Sequence, residues 1–525
     1  MDPSNRPLLT LAIAVSNANA SLRRTLAATH ADVDEIVVCD VGEVEIAAGL
    51  VGEFGGRYVT QPWCDSEGAA ANEAIRHASG RWILVLEPGE TVASADLREL
   101  RARLAATAPD SAYLMLIKGP PAPGSLDGEQ VAQIRLFPNR PGIRFHGRVR
   151  ASVRPSLEPL AILVEGLPYR IQGDPREQDV AWRSYRARRR IELADLESRE
   201  VGPRPRLLNC LAASFVELGQ TAEGTAYYRR VIDASEGPTH ERLEAFYGLL
   251  ALEDTNADLK RRLAMALEGL KTFPLDMQLL CAMGGLLQVD GQWDLALRAY
   301  ETAFRFGQID AEVEHLDGLR SVAAECYALS LQLRGDMSAA QRVLEEALAA
   351  EPASDRIRRH LLDVLIKTGQ RDAALTMLAV HPPATDCLEA LRSAVRGACL
   401  AAQRNWLAAR AYLQVAYQAS CRDPICLRWL AVTLLATQEH DDAAAVLREW
   451  QAREPLSGEP GRYLEAIPNG SAAAAPTKSP ATAESDRQIR VDPDARDAES
   501  LRARASADHG RGPRVPAPQS QSQSQ

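Results

Sequence analysis

The sequence predicts an α/β domain over residues 1–172, a connecting helix over 173–204, an all-α solenoid of helix pairs over 205–458 and a disordered tail over 459–525. Short apolar runs alternate with helical segments in the first region, a recurring spacing governs the second, and a shift to Ser, Ala, Pro, Asp and Arg marks the third. Only 5% of residues are aromatic while Ala and Leu abound, as expected where helix pairs meet through small residues and Leu.

Leu8–Val15, Glu35–Val41, Arg57–Gln61, Trp82–Glu87 and Ala112–Ile117 read as strands, being short apolar or β-branched runs bounded by polar or Gly clusters. Ser21–His30, Val44–Phe54, Glu67–Ala78 and Ala95–Thr107 carry helical periodicity between them. Such alternation implies a largely parallel sheet covered on both faces. After Ile117 the Gly119-Pro120-Pro121 loop and the β-like Gln130–Phe137 indicate a mixed second half. Residues 178–200 read as one helix. Its Arg183, Arg186, Arg188, Arg189 and Arg190 either touch phosphate or acidic lipid or pair with the Glu residues that begin at Glu192.

From about 205 to 455 the chain repeats. Gly219, Gly291, Gly335, Gly369, Arg404 and Gln438 mark equivalent helix ends, and the last three intervals are 34, 35 and 34 residues. That is the period of tetratricopeptide repeats, which this region resembles. Five residues after each marker stands a small residue (Gly224, Ala296, Ala340, Ala374, Ala409, Ala443), and four further on a large one (Tyr228, Tyr300, Leu344, Leu378, Leu413, Leu447). Ala303, Ala347 and Ala416 fill the next small position, and Pro352 and Pro455 stop second helices. The 72 residues between Gly219 and Gly291 hold one degenerate unit around Leu249–Pro274, giving about seven helix pairs. The tail ending in alternating Gln and Ser cannot bury enough apolar surface to offset its chain entropy.

A net charge of −10 argues against a dedicated nucleic-acid binder. Nine scattered cysteines do not make a disulfide framework and fit a reducing, cytoplasmic setting. Cys421 and Cys426 read as buried small hydrophobes rather than metal ligands. The eight-residue run Leu8–Val15 has no cleavage signature behind it, and no apolar stretch approaches the roughly 20 residues a spanning helix needs.

Two blocks carry a second resemblance. Gln61-Pro62-Trp63-Cys64-Asp65, Ala70-Ala71-Asn72-Glu73-Ala74 and Ser79-Gly80-Arg81-Trp82-Ile83-Leu84-Val85-Leu86-Glu87 form the first, and Arg135 through Val149 the second. Together with the order of domains they resemble bacterial family 2 glycosyltransferases that carry tetratricopeptide repeats. The resemblance implies a GT-A fold, with a nucleotide-sugar at the carboxyl ends of the parallel strands. It implies that Asp40 accepts from the nucleobase and that Asp65 and Asn72 line the nucleotide pocket. The bland alternative is that Trp63 and Trp82 are core residues and Asp65 caps the helix beginning near Glu67.

At the chemistry the chain departs from the family. An Asp-x-Asp that holds a divalent metal (Mn or Mg) is replaced by Glu87-Pro88-Gly89-Glu90, leaving Glu87 and Glu90 as the candidate ligands. The family's Arg before Asn72 is Ala71, and its His-Glu after the late Gly-x-Val is Arg150-Ala151. Arg144, Arg148 and Arg150 are candidates to hold a diphosphate without metal, or else a solvated edge with residues two apart on one face. Glu87, Glu90 and His146 are the candidate catalytic groups, His146 alternatively being merely exposed. Two functions stay open: sugar transfer from a nucleotide-sugar to a protein or glycan acceptor, and a catalytically silent GT-A-like domain on a repeat scaffold that grips a protein or peptide partner.

Overall fold

A computed structural model describes residues 6–16, 19–42, 47–120, 128–234, 237–252, 259–383, 387–454 and 458–467. The start of the helix read over Val44–Phe54, Pro121, Pro455 and the tail from residue 468 lie outside the described residues.

Alternating apolar and helical segments build the first domain as β1 (Leu9–Val15), α1 (Asn19–Thr29), β2 (Glu35–Asp40), α2 (Ala47–Glu53), β3 (Arg57–Thr60), α3 (Glu67–Arg76) and β4 (Trp82–Val85). There follow β5 (Thr91–Val92), α4 (Ser94–Ala106), β6 (Ser111–Lys118), β7 (Glu129–Pro138), α5 (Arg154–Leu157) and β8 (Leu163–Gln172). The sheet order is β3-β2-β1-β4-β7-β6-β8-β5. Its first four strands are parallel, with Leu11 paired to both Ile36 and Leu84, whereas β7 runs antiparallel to β4. Period-2 side chains explain the two covered faces. Leu9, Leu11, Ile13, Trp82 and Leu84 pack with Leu22 and Leu26 of α1 and Leu97, Leu100 and Leu104 of α4. Ala12, Cys39, Ile83 and Val85 pack with Ala70, Ala74 and Ile75 of α3.

The Arg-rich segment is one helix, α6 (Val180–Val201), started by the Asp179 carboxylate on the Ala181 N–H. Beyond it the array pairs α7 (Pro205–Glu217) with α8 (Thr221–Ala234), α9 (His240–Leu252) with α10 (Leu259–Thr272), α11 (Met277–Val289) with α12 (Trp293–Phe306) and α13 (Leu319–Leu333) with α14 (Met337–Ala350). Then come α15 (Asp355–Lys367) with α16 (Arg371–Val380), α17 (Leu388–Ala402) with α18 (Trp406–Gln418) and α19 (Pro424–Ala436) with α20 (His440–Arg453), seven pairs among the described residues. A short α21 (Glu459–Glu465) stands where the tail was expected to begin. Tyr463, Leu464 and Ile467 pack on the array core there, so ordered chain runs past residue 458.

Every repeat marker adopts a left-handed backbone: φ is +78° at Gly219, +77° at Gly291, +82° at Gly335 and +73° at Gly369, and also +60° at Arg404 and +65° at Gln438. A left-handed residue closes each first helix and turns the chain into the second. The small positions Ala296, Ala340, Ala374, Ala409 and Ala443 are fully buried, and Tyr300, Leu344, Leu378, Leu413 and Leu447 beside them nearly so. Tyr300 lies over Gly284, where an added Cβ would stand 2.5 Å from its ring. Cys421 and Cys426 are buried in this apolar core.

One interruption of the repeat joins the two halves. Residues 307–318, between α12 and α13, contribute β9 (His315–Leu316), which pairs antiparallel with Glu129 and Gln130 at the start of β7. The Ala132 N–H donates to the Ala311 carbonyl and the Asp317 N–H to the Gly128 carbonyl. Lys118–Asp317 and Arg154–Glu312 ion pairs flank this seam. Among the described residues no helix is long and apolar enough to cross a membrane.

Candidate functional site

The carboxyl ends of β1, β2 and β4 lie side by side at one end of the parallel strands; the start of α3 meets the loop after β7 where the Glu67 N–H donates to the Arg148 carbonyl, and α6 reaches Asp65 through Arg189. Open α/β sheets bind their ligands at such strand ends. Asp40, last residue of β2, is 6% exposed, and its two oxygens accept from the Gly42 N–H at 2.8 Å and the Tyr58 hydroxyl at 2.9 Å.

Asp65 sits at φ +52° and accepts from the Trp63 indole N–H at 2.8 Å and from Arg189 of α6 at 3.1 Å. The Arg189 guanidinium also lies 4.8 Å from the centre of the Trp63 ring. Asp65 is therefore not the cap of α3. That role falls to Ser66, whose hydroxyl accepts from the Ala69 N–H at 3.1 Å. Of the two tryptophans read as core, Trp82 is fully buried and Trp63 half-buried. Asn72 spends its amide on one backbone residue, donating to the Phe145 carbonyl at 2.9 Å and accepting from the Phe145 N–H at 2.7 Å. It ties α3 to the late loop.

Arg144, Arg148 and Arg150 do not share a face. Residues two apart line up only on extended chain, and here the chain turns: Gly147 has φ +101° and Arg150 φ +47°. Arg144 is exposed. Arg148 pairs with Glu200 at 3.0 Å near the end of α6. Arg150 pairs with Glu244 of α9 at 2.6 Å, while its N–H donates to Glu67 at 3.0 Å. His146 exchanges backbone hydrogen bonds with Ser152, and its buried Nε2 has no partner among the described residues.

The turn after β4 is filled by a cation of the chain itself. Arg135 of β7 donates to Glu87 at 3.1 Å and to Glu90 at 3.0 Å. The other Glu90 oxygen accepts the Glu87 N–H at 2.7 Å. Side-chain exposure is 8% for Arg135 and 7% for Glu90 but 66% for Glu87. Burial, and then the neighbouring Glu87 charge, push the Glu90 carboxyl up to about 7 against the pull of Arg135. Burial also acts on Glu87, yet Arg135, Arg186 and Arg190 together hold it below its ordinary value. Gly89 has φ +101°, and a Cβ there would lie 2.3 Å from the Asp174 carboxylate carbon. Among the described residues no three His, Cys, Asp or Glu side chains converge as metal ligands.

Residues 10–129 match the model described as glycosyl transferase family 2, and residues 331–394 match a tetratricopeptide repeat model. One chain thus carries a match to glycosyl transferase family 2 in its first domain and a match to tetratricopeptide repeats within its helix array. A TPR repeat-containing protein of Synechococcus elongatus is 32% identical over 137 residues, which are 26% of this chain and 33% of the relative. The chain thus spans about a third of the length of that curated relative, 33%. A tetratricopeptide repeat protein from Parabacteroides merdae is similar over 50% of this chain and 99% of its own, at 14% identity and a TM-score of 0.36. S. aureus TarS 1-349 is similar over 49% of this chain and 83% of its own, at 11% identity and a TM-score of 0.27.

In the glycosyl transferase domain, then, Glu87, Glu90, Asp40 and Asn72 all stand at or near the strand ends, but each is engaged by the protein. Sequence reading gave Arg135 no role, although an Arg between Ile134 and Leu136 in an apolar strand demands a buried counter-charge. It also passed over residues 307–318, whose length breaks the repeat period without a composition signal of its own.

Proposed function

We propose that the chain is a glycosyltransferase-like binding protein in which metal-dependent sugar transfer is lost and the repeat array holds a protein or peptide partner. The observation that carries this reading is Arg135 seated between Glu87 and Glu90. A divalent cation would need those carboxylates, and a guanidinium already neutralises them. The position of the missing second ligand is closed as well, because Asp174 fills the space that a side chain at Gly89 would enter. A Mn or Mg ion therefore does not fit the residues present.

Nucleotide release from UDP- and GDP-sugars by the full chain, with Mn²⁺ or Mg²⁺, tests this directly. The expected rate equals the uncatalysed one; metal-dependent release would overturn the reading. In the array, ion pairs join α13 to α15 (Arg356–Glu325 at 2.7 Å), α15 to α19 (Arg428–Asp363 at 3.0 Å) and α15 to the end of α20 (Arg359–Glu454 at 3.4 Å). Such a surface suits a charged peptide, and extended surfaces of this kind are what stacked repeats supply. Peptides selected on the full chain are expected to lose binding in Arg428→Glu.

A further inference from the structure

The second helices of the array keep one face in the core and turn the other to solvent, and the solvent positions follow the repeat register. The third residue after the markers Gly219, Gly291, Gly335, Gly369 and Gln438 is Ala222, Asp294, Ser338, Asp372 and Asp441, small or acidic each time, but after Arg404 it is Leu407. The eleventh is Arg230, Thr302, Glu346 and Glu449 in four units, but Val380 in α16 and Val415 in α18. These departures stand in the open, with exposures of 80% at Leu407, 59% at Val415 and 64% at Val380. A scattered apolar residue on a surface needs no explanation. Here Leu407, Ala411 and Val415 follow one another at four-residue steps and form a single exposed ridge along α18.

The ridge is held on a firm base. Ala409, Leu413 and Ala416 are fully buried on the opposite side of α18, which packs against α17 and α19. Gly397 of α17 lets the helix close in, since a Cβ there would stand 2.7 Å from Leu413 and 3.1 Å from the Tyr412 Cβ. Tyr412 is thus fixed at its base and remains 44% exposed beside the ridge. Arg410 is the one charged residue of α18, and it pairs with Glu439; Gln414 and Gln418 border the ridge. The patch is therefore neutral, on a chain whose net charge of −10 makes its copies repel one another elsewhere. A neutral apolar patch is where two such chains meet without placing like charges together. Its shape also matches itself, large at both ends and small in the middle. With two copies of α18 antiparallel across a two-fold axis at Ala411, each Leu407 faces the other copy's Val415, and the small Ala411 pair lets the helices approach.

We propose that the exposed face of α18 is a two-fold interface through which two copies of the chain dimerise, with Leu407, Ala411, Tyr412 and Val415 at its centre. Val380 holds on α16 the position of Val415, so the stacking of repeats continues the patch onto the neighbouring pair. An isologous contact of this kind closes at two copies and builds no filament. It lies on the solvent face of a second helix, so it leaves the ion pairs of the first helices free and is independent of a peptide held there.

Sedimentation velocity of the full chain over a range of concentrations is the test. A monomer–dimer equilibrium is expected, between 57.1 kDa and twice that mass. Leu407→Lys and Val415→Glu each bury an unpaired charge in the interface and weaken the dimer at least about tenfold. Combined in one chain, the two new charges face each other twice across the axis, and dimerisation returns toward the wild-type level. Ala411→Glu sets two like charges together on the axis and abolishes the dimer, whereas Ala445→Glu, at the matching exposed position of α20, leaves it unchanged. Circular dichroism confirms that each variant is folded. A chain that stays monomeric up to about 100 μM, a dimer that persists in Ala411→Glu, or a double variant no stronger than the single ones would overturn the proposal. Peptide binding is read separately through Arg428→Glu, so the two conclusions fail independently.

Discussion

Replacing Arg135 with Met removes the internal cation while keeping an apolar side chain of similar length in β7. Two charge-assisted hydrogen bonds, 3.1 Å to Glu87 and 3.0 Å to Glu90, are lost. Their costs differ. The Glu87 side chain is 66% exposed and turns to water, so its share is small, about 0–1 kcal/mol. Glu90 is 7% exposed and is left as an uncompensated buried carboxylate, a loss of about 3–5 kcal/mol. At about 1.4 kcal/mol per tenfold, the opening equilibrium of the β4–β5 region rises by a hundredfold or more. Hydrogen exchange read by mass spectrometry on peptides covering residues 82–92 of the full chain measures this. The penalty also depends on pH. The Glu90 carboxyl is raised from 4.5 to about 7 in the fold, so its protonated form favours the folded state. That contribution is fully present below 4.5 and is lost as pH rises through about 7. Without Arg135 the carboxyl rises further, so the proton-linked part of the variant's deficit is smallest at pH 5 and grows as pH rises above about 7. Adding Glu90→Leu to Arg135→Met recovers most of the protection, because both charges are then gone. Protection at residues 82–92 unchanged within threefold at pH 8, or a double variant no better than the single one, would refute the reasoning.

Gly89→Asp, which restores the family's residue type, is expected to lower the melting temperature by several degrees and to produce no Mn²⁺-dependent shift; strain at positive φ and the clash with Asp174 cost at least about 2 kcal/mol. Asn72→Ala leaves both the N–H and the carbonyl of Phe145 without their partner, a loss of about 1–3 kcal/mol seen as faster exchange in residues 142–149 and little change in the array. Gly284→Val drives a side chain into the Tyr300 ring and destabilises the array by about 1–3 kcal/mol, visible in the helical circular dichroism melt while residues 82–92 keep their protection.

Strands and repeats were legible because each has a local cause. The uninterrupted apolar run Leu8–Val15 can only be a buried strand or helix segment, and it is β1 with one residue trimmed. The repeat register was legible even where Arg404 and Gln438 replace Gly, because the small and large residues that follow keep their offsets and these residues take the left-handed turn anyway. β8 was passed over since Gly166, Pro168 and its alternating exposed positions resemble a loop until β6 lies beside it. The site was less legible for a different reason. Arg135 and Glu90 are 45 residues apart, and their pairing depends on β7 lying next to β4. The grouping of Arg144, Arg148 and Arg150 assumed extended chain where two positive-φ turns send them to separate partners.

The segment between α12 and α13 has an evolutionary and mechanical corollary. Because β9 pairs with β7 of the first domain's sheet, the three helix pairs from α7 to α12 are held at both ends, by α6 on one side and by β9 on the other. They cannot be added, deleted or bent without disturbing the sheet. The four pairs from α13 to α20 are held at one end only, and each leans chiefly on its immediate neighbours, so their stability grows by whole units. Change in array length over generations, and flexing under load within one molecule, should both concentrate beyond Leu319, while the part nearest the strand ends behaves as a fixed stock.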